Sequence, residues 1–188
     1  KITNTSSKDK VGEMIEQFYT IIYKELDKLN ISGQYYADWT ADELFIIFYG
    51  DEEEKDLIKS EALDFCHSLA TTLYMQISTE INKNIMYDIG LSSGYGLIGL
   101  QGPSNFKKTT ITGDVAGNSK RYETEAKEIR KNNNKKSFPI IVMDEKLSEK
   151  AYKLEKFKNN MKSTQIKGTA QDITDFNLTS WTFHKTDN

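Results

Sequence analysis

The segment TTITGDVAGNSKR, residues 109–121, decides the fold because it joins a glycine, which interrupts regular structure, to the polar start of a helix. The sequence predicts a loop that ends at Gly113, followed by a helix that begins near Asp114. The start of this helix is polar, which is unusual, and it places Asn118 and Arg121 on one helix face. The polar side chains of this helix are therefore the first candidates for a functional role.

The residues on either side of that segment predict strands and one more helix. Residues 89–102, IGLSSGYGLIGLQG, indicate two strands interrupted by glycines, which permit tight bends and close approach of the backbone. Beyond the polar helix the sequence predicts a buried strand at residues 139–143, a weakly amphipathic helix from Glu145 to Met161, and a closing strand pair at residues 165–169 and 181–184.

The N-terminal part of the sequence predicts a hairpin between two long helices. Apolar residues recur every three or four positions from Val11 to Leu29 and from Leu57 to Ile77, as in amphipathic helices. Between them, residues 34–39 and 43–48 are rich in aromatic and β-branched side chains, which favours two short strands. Asp42 then lies at the hairpin turn, a position where Asp also occurs simply as a turn-forming residue.

The composition indicates one soluble globular domain, residues 1–188, of the α+β class. Helices that alternate with mostly antiparallel strands predict helices on one face of a sheet. The net charge is −3, with Lys and Glu mixed along the chain, which argues against nucleic acid as a partner. No apolar run is long enough to span a membrane. The lone cysteine, Cys66, lies in an apolar helical stretch, which predicts a buried thiol and a reducing, cytoplasmic compartment.

Four segments together resemble class III adenylate and guanylate cyclases, over nearly the whole chain. Each segment alone is a weak signal, but their order and spacing match the family: DWTADELFIIF (38–48), IGLSSGYGLIGLQG (89–102), TTITGDVAGNSKR (109–121) and QIKGT (165–169). The resemblance implies a ferredoxin-like, mostly antiparallel sheet flanked by helices. It also implies that the family's first strand, with one metal-binding carboxylate, would precede Lys1 and is missing from this sequence.

The resemblance assigns roles to several residues. Asp42 would be a ligand for two Mg²⁺ or Mn²⁺ ions, and Arg121 would stabilise negative charge in the transition state. Lys167, followed by Gly168, would contact the β- or γ-phosphate. The family places a ribose-positioning Asn four residues before the Arg; that position holds Gly117, and Asn118, three residues before Arg121, is the alternative.

The residues expected to contact the base are Asp38 and Thr110. Adenylate cyclases have a Lys where this chain has Asp38, so the base pocket is substituted. An acidic residue there is similar to guanylate cyclases, but Thr110 does not fit that pattern. The substituted pocket also resembles the pyrimidine cyclases of bacterial Pycsar anti-phage systems, and the expectation is a cyclic CMP or cyclic UMP product. A purine cyclase of general signalling is the alternative.

The family is active as a head-to-tail dimer, so the resemblance implies a homodimer with active sites at its interface and a nucleoside triphosphate as substrate. Asp42 of one subunit would face Arg121 of the partner subunit. Two rival hypotheses remain open on the sequence: a catalytically silent cyclase-like domain that binds nucleotide or regulates a partner, and an unrelated α+β interaction domain.

Overall fold

The computed structural model describes residues 8–29, 34–40, 42–81, 85–132, 138–167 and 177–183. The chain divides into two compact units, Lys1–Met86 and Tyr87–Asn188. Within the described ranges, no helix is long and apolar enough to cross a membrane.

The first unit contains the predicted hairpin and the helices that cover it. Its elements are α1 (Lys8–Lys28), β1 (Gln34–Thr40), β2 (Glu43–Tyr49), a 3-10 turn (Glu52–Glu54), α2 (Lys55–Ala70) and α3 (Thr72–Glu80). The strands pair antiparallel, with Thr40 opposite Glu43, so the hairpin turn at Asp42 is confirmed. α2 packs against β2 and α3, and α3 packs against α1. Fully buried side chains from these helices, among them Leu26, Leu63 and Ile77, form the core of the unit.

The single long helix predicted from Leu57 to Ile77 is wrong, because the chain bends at Thr71. The backbone there leaves the helical region (φ −125°, ψ −92°) and separates α2 from α3. The buried Thr71 hydroxyl donates a hydrogen bond to the His67 carbonyl oxygen at 2.7 Å. Hydroxyl groups that bond to the carbonyl four residues earlier often bend helices. Both helices keep the predicted apolar face, so the break leaves the core intact.

The second unit is a four-stranded sheet with helices and a separate hairpin. Its elements are β3 (Asp88–Leu91), β4 (Leu97–Gln101), β5 (Lys108–Thr112), α4 (Asp114–Asn132), β6 (Ile140–Asp144), α5 (Glu145–Lys153), α6 (Glu155–Asn160), β7 (Met161–Lys167) and β8 (Asn177–Phe183). The sheet order is β3-β6-β8-β7, while β4 and β5 pair with each other. Only the β3–β6 pairing is parallel among those of the described strands. The predicted α+β class is therefore confirmed.

Two local predictions in this unit are wrong. The predicted loop before Gly113 contains β5, whose residues Lys108–Thr112 pair with Leu97–Gln101. The predicted helix from Glu145 to Met161 is two helices, because Leu154 is extended (φ −84°, ψ 118°), and Met161 begins β7. Restarting the helix at Glu155 buries Phe157 completely against the ring of Trp181, with centroids 5.1 Å apart. The break at Leu154 is thus accompanied by the burial of a large aromatic side chain.

The core of the second unit lies between α4 and the sheet. Ile140, Ile141, Val142 and Met143 are fully buried, which confirms the predicted buried strand. Tyr122 and Ala126 of α4 pack on Ile140, Val142 and Leu178. α4 also comes unusually close to β3. A Cβ atom added at Gly90 would lie 1.9 Å from the Ser119 carbonyl oxygen, so the predicted close backbone approach is confirmed.

A buried ion pair fixes the far end of α4 to the sheet. The Arg130 guanidinium donates to both carboxylate oxygens of Asp88, with Nη2 to Oδ1 at 2.6 Å and Nε to Oδ2 at 3.1 Å. The same Nη2 donates to the carbonyl oxygens of Tyr87 and Phe138. The side chains of Arg130 and Asp88 are only 15% and 7% exposed. Arg130 therefore joins α4 to the segments that lead into β3 and β6.

Candidate functional site

The turn between β5 and α4 sets the start of the helix that carries Asn118 and Arg121. Gly113 has a φ of +135°, and a Cβ atom there would lie 3.0 Å from the Tyr95 carbonyl oxygen. L-residues rarely adopt this conformation, so the turn requires glycine. On the next turn, Ser92 donates to the Val115 carbonyl oxygen at 2.5 Å. The helix start is thus held by the β3–β4 connection as well as by β5.

The structure brings Asn118 and Arg121 into direct contact. Nη1 of Arg121 donates to Oδ1 of Asn118 at 3.0 Å, and both side chains are partly buried. The guanidinium lies over Gly117, where a Cβ atom would be 3.2 Å from Nη1 and 3.8 Å from Cζ. The residues Gly117 and Asn118, together with Arg121 one turn later, therefore form one arrangement on the helix surface.

The charge of Arg121 also acts on the buried Tyr122. The pKa of the Tyr122 hydroxyl is raised to about 12, mainly by burial and in part by the Asp144 carboxylate, while the charge of Arg121 opposes both effects. Asp144 accepts a hydrogen bond from the Leu147 backbone N–H as the N-cap of α5. Tyr122 was not singled out from the sequence.

Thr110 and Lys167 lie on other elements of the second unit. Thr110 is on β5 directly opposite Gly99, and α4 packs against β5. Lys167 is the last residue of β7, opposite Asn177, and is exposed. Gly168, the second member of the predicted Lys-Gly pair, lies outside the described residues. These candidates come from three elements, of which only α4 carries two in contact.

The two candidate carboxylates of the first unit lie on one hairpin. Asp38 is on β1 opposite Phe45, and Asp42 is exposed at the turn. Burial raises the pKa of Tyr19 and of Tyr23 on α1. Asp42 adds to the effect on Tyr19, and Asp38 adds to the effect on Tyr23. Each carboxylate therefore lies near a tyrosine hydroxyl that the sequence did not single out.

The aromatic side chains of β1 pack on α1. Trp39 stacks on Tyr19 with ring centroids 4.2 Å apart and meets the edge of Tyr23 at 5.1 Å. Tyr35 donates a hydrogen bond to Asp27 at 3.1 Å. Trp39 nevertheless stays 45% exposed. This packing supports the backbone that carries Asp38 and Asp42.

The chemistry of Asp42 fits a magnesium or manganese ligand. Mg²⁺ prefers carboxylate oxygens and is usually held by one or two carboxylates together with substrate phosphates, rather than by an all-protein cage. An exposed carboxylate at a hairpin turn can act in this way. No cluster of three or more His, Cys, Asp or Glu suited to a metal ion occurs in the part of the chain that the structure describes. Asp42 could therefore supply one carboxylate ligand to such an ion.

Comparison with known proteins identifies the fold. No protein-family model matches the chain, and no curated protein matches it significantly. The adenylyl cyclase CyaB from P. aeruginosa superposes with a TM-score of 0.66 at 12% identity, over 99% of this chain and 89% of that one. A guanylyl cyclase gives 0.64 at 10% identity, over 99% and 87%. A bacterial light-regulated adenylyl cyclase gives 0.60 at 15% identity over 97% of this chain, which spans only 47% of that protein. The chain therefore has the fold of adenylyl and guanylyl cyclase domains.

Proposed function

We propose that the chain is a nucleotidyl cyclase that converts a nucleoside triphosphate into a 3′,5′-cyclic nucleotide and pyrophosphate. The observation that carries this proposal is the fold, shared with adenylyl and guanylyl cyclases over nearly the whole chain. The order of the four sequence segments supports it independently, because those segments carry the residue types that the reaction needs.

The reaction requires positive charge around the phosphates. The ribose 3′-oxygen attacks the α-phosphorus in line with the departing pyrophosphate, and negative charge develops on the phosphate oxygens. Arg121 suits this role because a guanidinium can pair with two phosphate oxygens at once. Lys167, exposed at the end of β7, is proposed to contact the β- or γ-phosphate as a point charge.

Asp42 is proposed to bind divalent metal. Two Mg²⁺ or Mn²⁺ ions held by Asp42 and a second carboxylate would neutralise phosphate charge and lower the pKa of the 3′-hydroxyl. Asp42 would hold an ion from a turn that joins two paired strands, of which β1 packs on α1 and β2 packs on α2.

We further propose a pyrimidine triphosphate as substrate and an anti-phage signal as product. Asp38 would accept a hydrogen bond from the N4 amino group of cytosine, and Thr110 would contact another edge of the base. Asp38 lies on a strand whose neighbouring aromatic rings are fixed against α1, which favours a rigid base contact. An ATP or GTP preference would instead indicate general second-messenger signalling.

We propose that the active form is a homodimer in which Asp42 faces Arg121 of the partner subunit. The β4–β5 hairpin supports self-association, because three of its large side chains are strongly exposed, namely Leu97 (75%), Leu100 (67%) and Phe106 (78%), and so is Tyr95 (84%) just before β4. Leu97 and Leu100 are three residues apart on one strand and so lie on opposite faces of the hairpin. Each face of the hairpin therefore exposes a large apolar side chain that an interface would bury.

Product analysis tests the proposed function. The protein is incubated separately with ATP, GTP, CTP and UTP in Mg²⁺ or Mn²⁺, and cyclic nucleotides are identified by mass spectrometry. We expect a cyclic pyrimidine that is lost in Asp42→Asn and retained in Asp56→Asn, an exposed aspartate in the first turn of α2. A cyclic purine would reject the pyrimidine assignment. No cyclic product from any triphosphate, with a dimer present, would leave a silent cyclase-like domain.

A further inference from the structure

We propose that Asn118 is a positioning residue for Arg121 and does not bind the ribose. Its amide oxygen holds the guanidinium over the bare backbone of Gly117, and this arrangement presets the arginine for the phosphate. The inference rests on the proposed function. It gives a role to residues 117 and 118, where the chain departs from the family pattern.

The side chains of Asn118 and Arg121 are joined by a hydrogen bond. Oδ1 of Asn118 accepts from Nη1 of Arg121 at 3.0 Å, so the amide oxygen already has a partner on the same helix. Residues three apart on a helix are neighbours, so this bond forms without any change of the backbone. An amide oxygen engaged in this way is turned along the helix surface toward the arginine.

Gly117 leaves room for the guanidinium of Arg121. Nη1 lies 3.2 Å from the position that a Cβ atom would occupy at residue 117, which is closer than about nine in ten real Cβ contacts. A larger residue would therefore require the guanidinium to shift by a few tenths of an ångström. Glycine is unfavourable inside a helix, so its presence at an exposed position of α4 needs a reason, and the guanidinium provides one.

The two positions therefore depend on each other. The resemblance predicts an asparagine four residues before the arginine, yet the Cβ atom of any side chain there would already lie in tight contact with the guanidinium. Moving the amide to position 118 makes it a hydrogen-bond acceptor for Arg121 instead. A guanidinium has five N–H donors, so the bond to Asn118 is compatible with pairing to phosphate oxygens.

Orientation is the benefit that this arrangement offers to catalysis. A free arginine side chain samples many rotamers, and ordering it at the moment of reaction would oppose the chemical step. A guanidinium that is already held in place avoids that loss. The effect should therefore appear mainly in kcat, because the bond acts on a charge that is needed in the transition state.

A double-mutant cycle tests the proposal in the full chain. We expect Asn118→Ala to lower kcat about tenfold with little change in KM. Arg121→Ala should lower kcat by about 100-fold or more, and the double variant should be no worse than Arg121→Ala alone. Asn118→Asp should keep most of the activity, because a carboxylate also accepts from Nη1. Multiplied losses, a raised KM in Asn118→Ala, or an inactive Asn118→Asp would overturn the proposal in favour of ribose binding.

A second measurement does not depend on activity. Nitrogen-15 NMR of the arginine side chains follows rotation of the Arg121 guanidinium, which Asn118→Ala and Gly117→Ala should both accelerate. Lys120→Ala, an exposed neighbour on the same helix, should leave it unchanged. Equal rotation in the wild type and in Asn118→Ala would overturn the inference even in an active enzyme. Restricted rotation in a protein that makes no cyclic product would instead reject the proposed function and uphold the contact.

Discussion

At position 90 the side chain is a single hydrogen because the backbone of α4 lies directly against it. The nearest helix atoms to an added Cβ would be the Ser119 carbonyl oxygen at 1.9 Å and the Glu123 nitrogen at 2.3 Å. Both are backbone atoms, so no side-chain rotation relieves the clash. One residue type on β3 therefore sets how closely the helix that carries Arg121 approaches the sheet.

Gly90→Ala should destabilise the protein by about 3 kcal/mol, because α4 would have to move away from β3. Gly99→Ala is the matched control, since an added Cβ on that strand glycine meets nothing within 4 Å. Its effect should stay within about 0.5 kcal/mol. Urea unfolding followed by circular dichroism gives both values. Equal stability of the two variants would contradict the close packing of helix and strand.

Cys66 makes stability depend on pH in the alkaline range. Burial raises the pKa of the Cys66 thiol from 9.0 to about 12. Below pH 9 the thiol is protonated in both the folded and unfolded states. As the pH rises toward 12, only the unfolded state loses the proton, so stability falls.

From about pH 8 to about pH 10, the wild type should lose about 1 kcal/mol more of its free energy of unfolding than Cys66→Ala. Comparing the two pH dependences removes the contributions of all other groups and the cost of the substitution itself. Urea titrations at both pH values provide the measurement. Parallel pH dependences for the two proteins would show that the thiol is not buried.

At the scale of elements, α4 is held at both ends by different means. Its start follows the Gly113 turn and the Ser92 hydrogen bond, while Arg130 binds Asp88 near its end. Because this ion pair is largely buried, removing one partner leaves an uncompensated charge. α4 should therefore respond far more to a change at Arg130 than to changes at its exposed charges.

Arg130→Met should destabilise the protein by about 3 kcal/mol. Lys131→Ala, which removes an exposed ion pair with Glu128 on the same helix, should change stability by less than about 0.5 kcal/mol. The double variant Asp88→Asn with Arg130→Met should recover part of the loss, since the unpaired carboxylate is gone. Thermal and urea unfolding of all three variants decides the matter. A loss at Arg130 no larger than at Lys131 would refute the anchoring role.

Most elements could be predicted from the sequence, but two interruptions of helices could not. Apolar spacing indicated α1 and the helical region of α2 and α3, Gly113 indicated the start of α4, and aromatic and β-branched runs indicated the β1–β2 hairpin. Neither bend, at Thr71 or at Leu154, contains a glycine or proline, so no helix-breaking residue in the sequence predicts it. At the first bend the Thr71 hydroxyl bonds to the His67 carbonyl, a contact that Thr124 makes to Lys120 without any break in α4. The second bend accompanies the burial of Phe157 against Trp181, which depends on tertiary packing. The strand β5 was also missed, because only its pairing with β4 distinguishes it from a loop.

The candidate site was predictable to a similar degree. Spacing along α4 correctly indicated that Asn118 and Arg121 share a helix face, and their contact confirms it. That the guanidinium lies over Gly117 depends on rotamers and was beyond sequence reasoning. The tyrosines beside Asp38 and Asp42 also required the structure, because they lie on α1 and the sequence does not show how α1 packs on the hairpin. The catalytic roles of these residues remain predictions.

At the scale of the whole molecule, the exposed β4–β5 hairpin makes the oligomeric state testable. We expect Leu97→Asp to raise the dimer dissociation constant at least about tenfold, because it places a charge in an apolar contact. Leu57→Asp is the matched control, as Leu57 is also an exposed leucine but lies on α2. Sedimentation velocity over a concentration series measures both. A wild type that stays monomeric, or equal effects of the two variants, would contradict a dimer formed through the hairpin.

The position of β8 in its sheet has a consequence for how the chain folds as it is synthesised. β8 lies between β6 and β7, yet it is translated after both of them. Until residues 177–183 emerge, β6 lacks one neighbour and β7 pairs with none of the described strands, and unpaired strand edges are prone to aggregation. The β1–β2 hairpin and its helices involve contacts close in sequence, which form fast. We therefore expect the first unit to acquire structure on the ribosome. The β3-β6-β8-β7 sheet can form completely only after β8 has been synthesised.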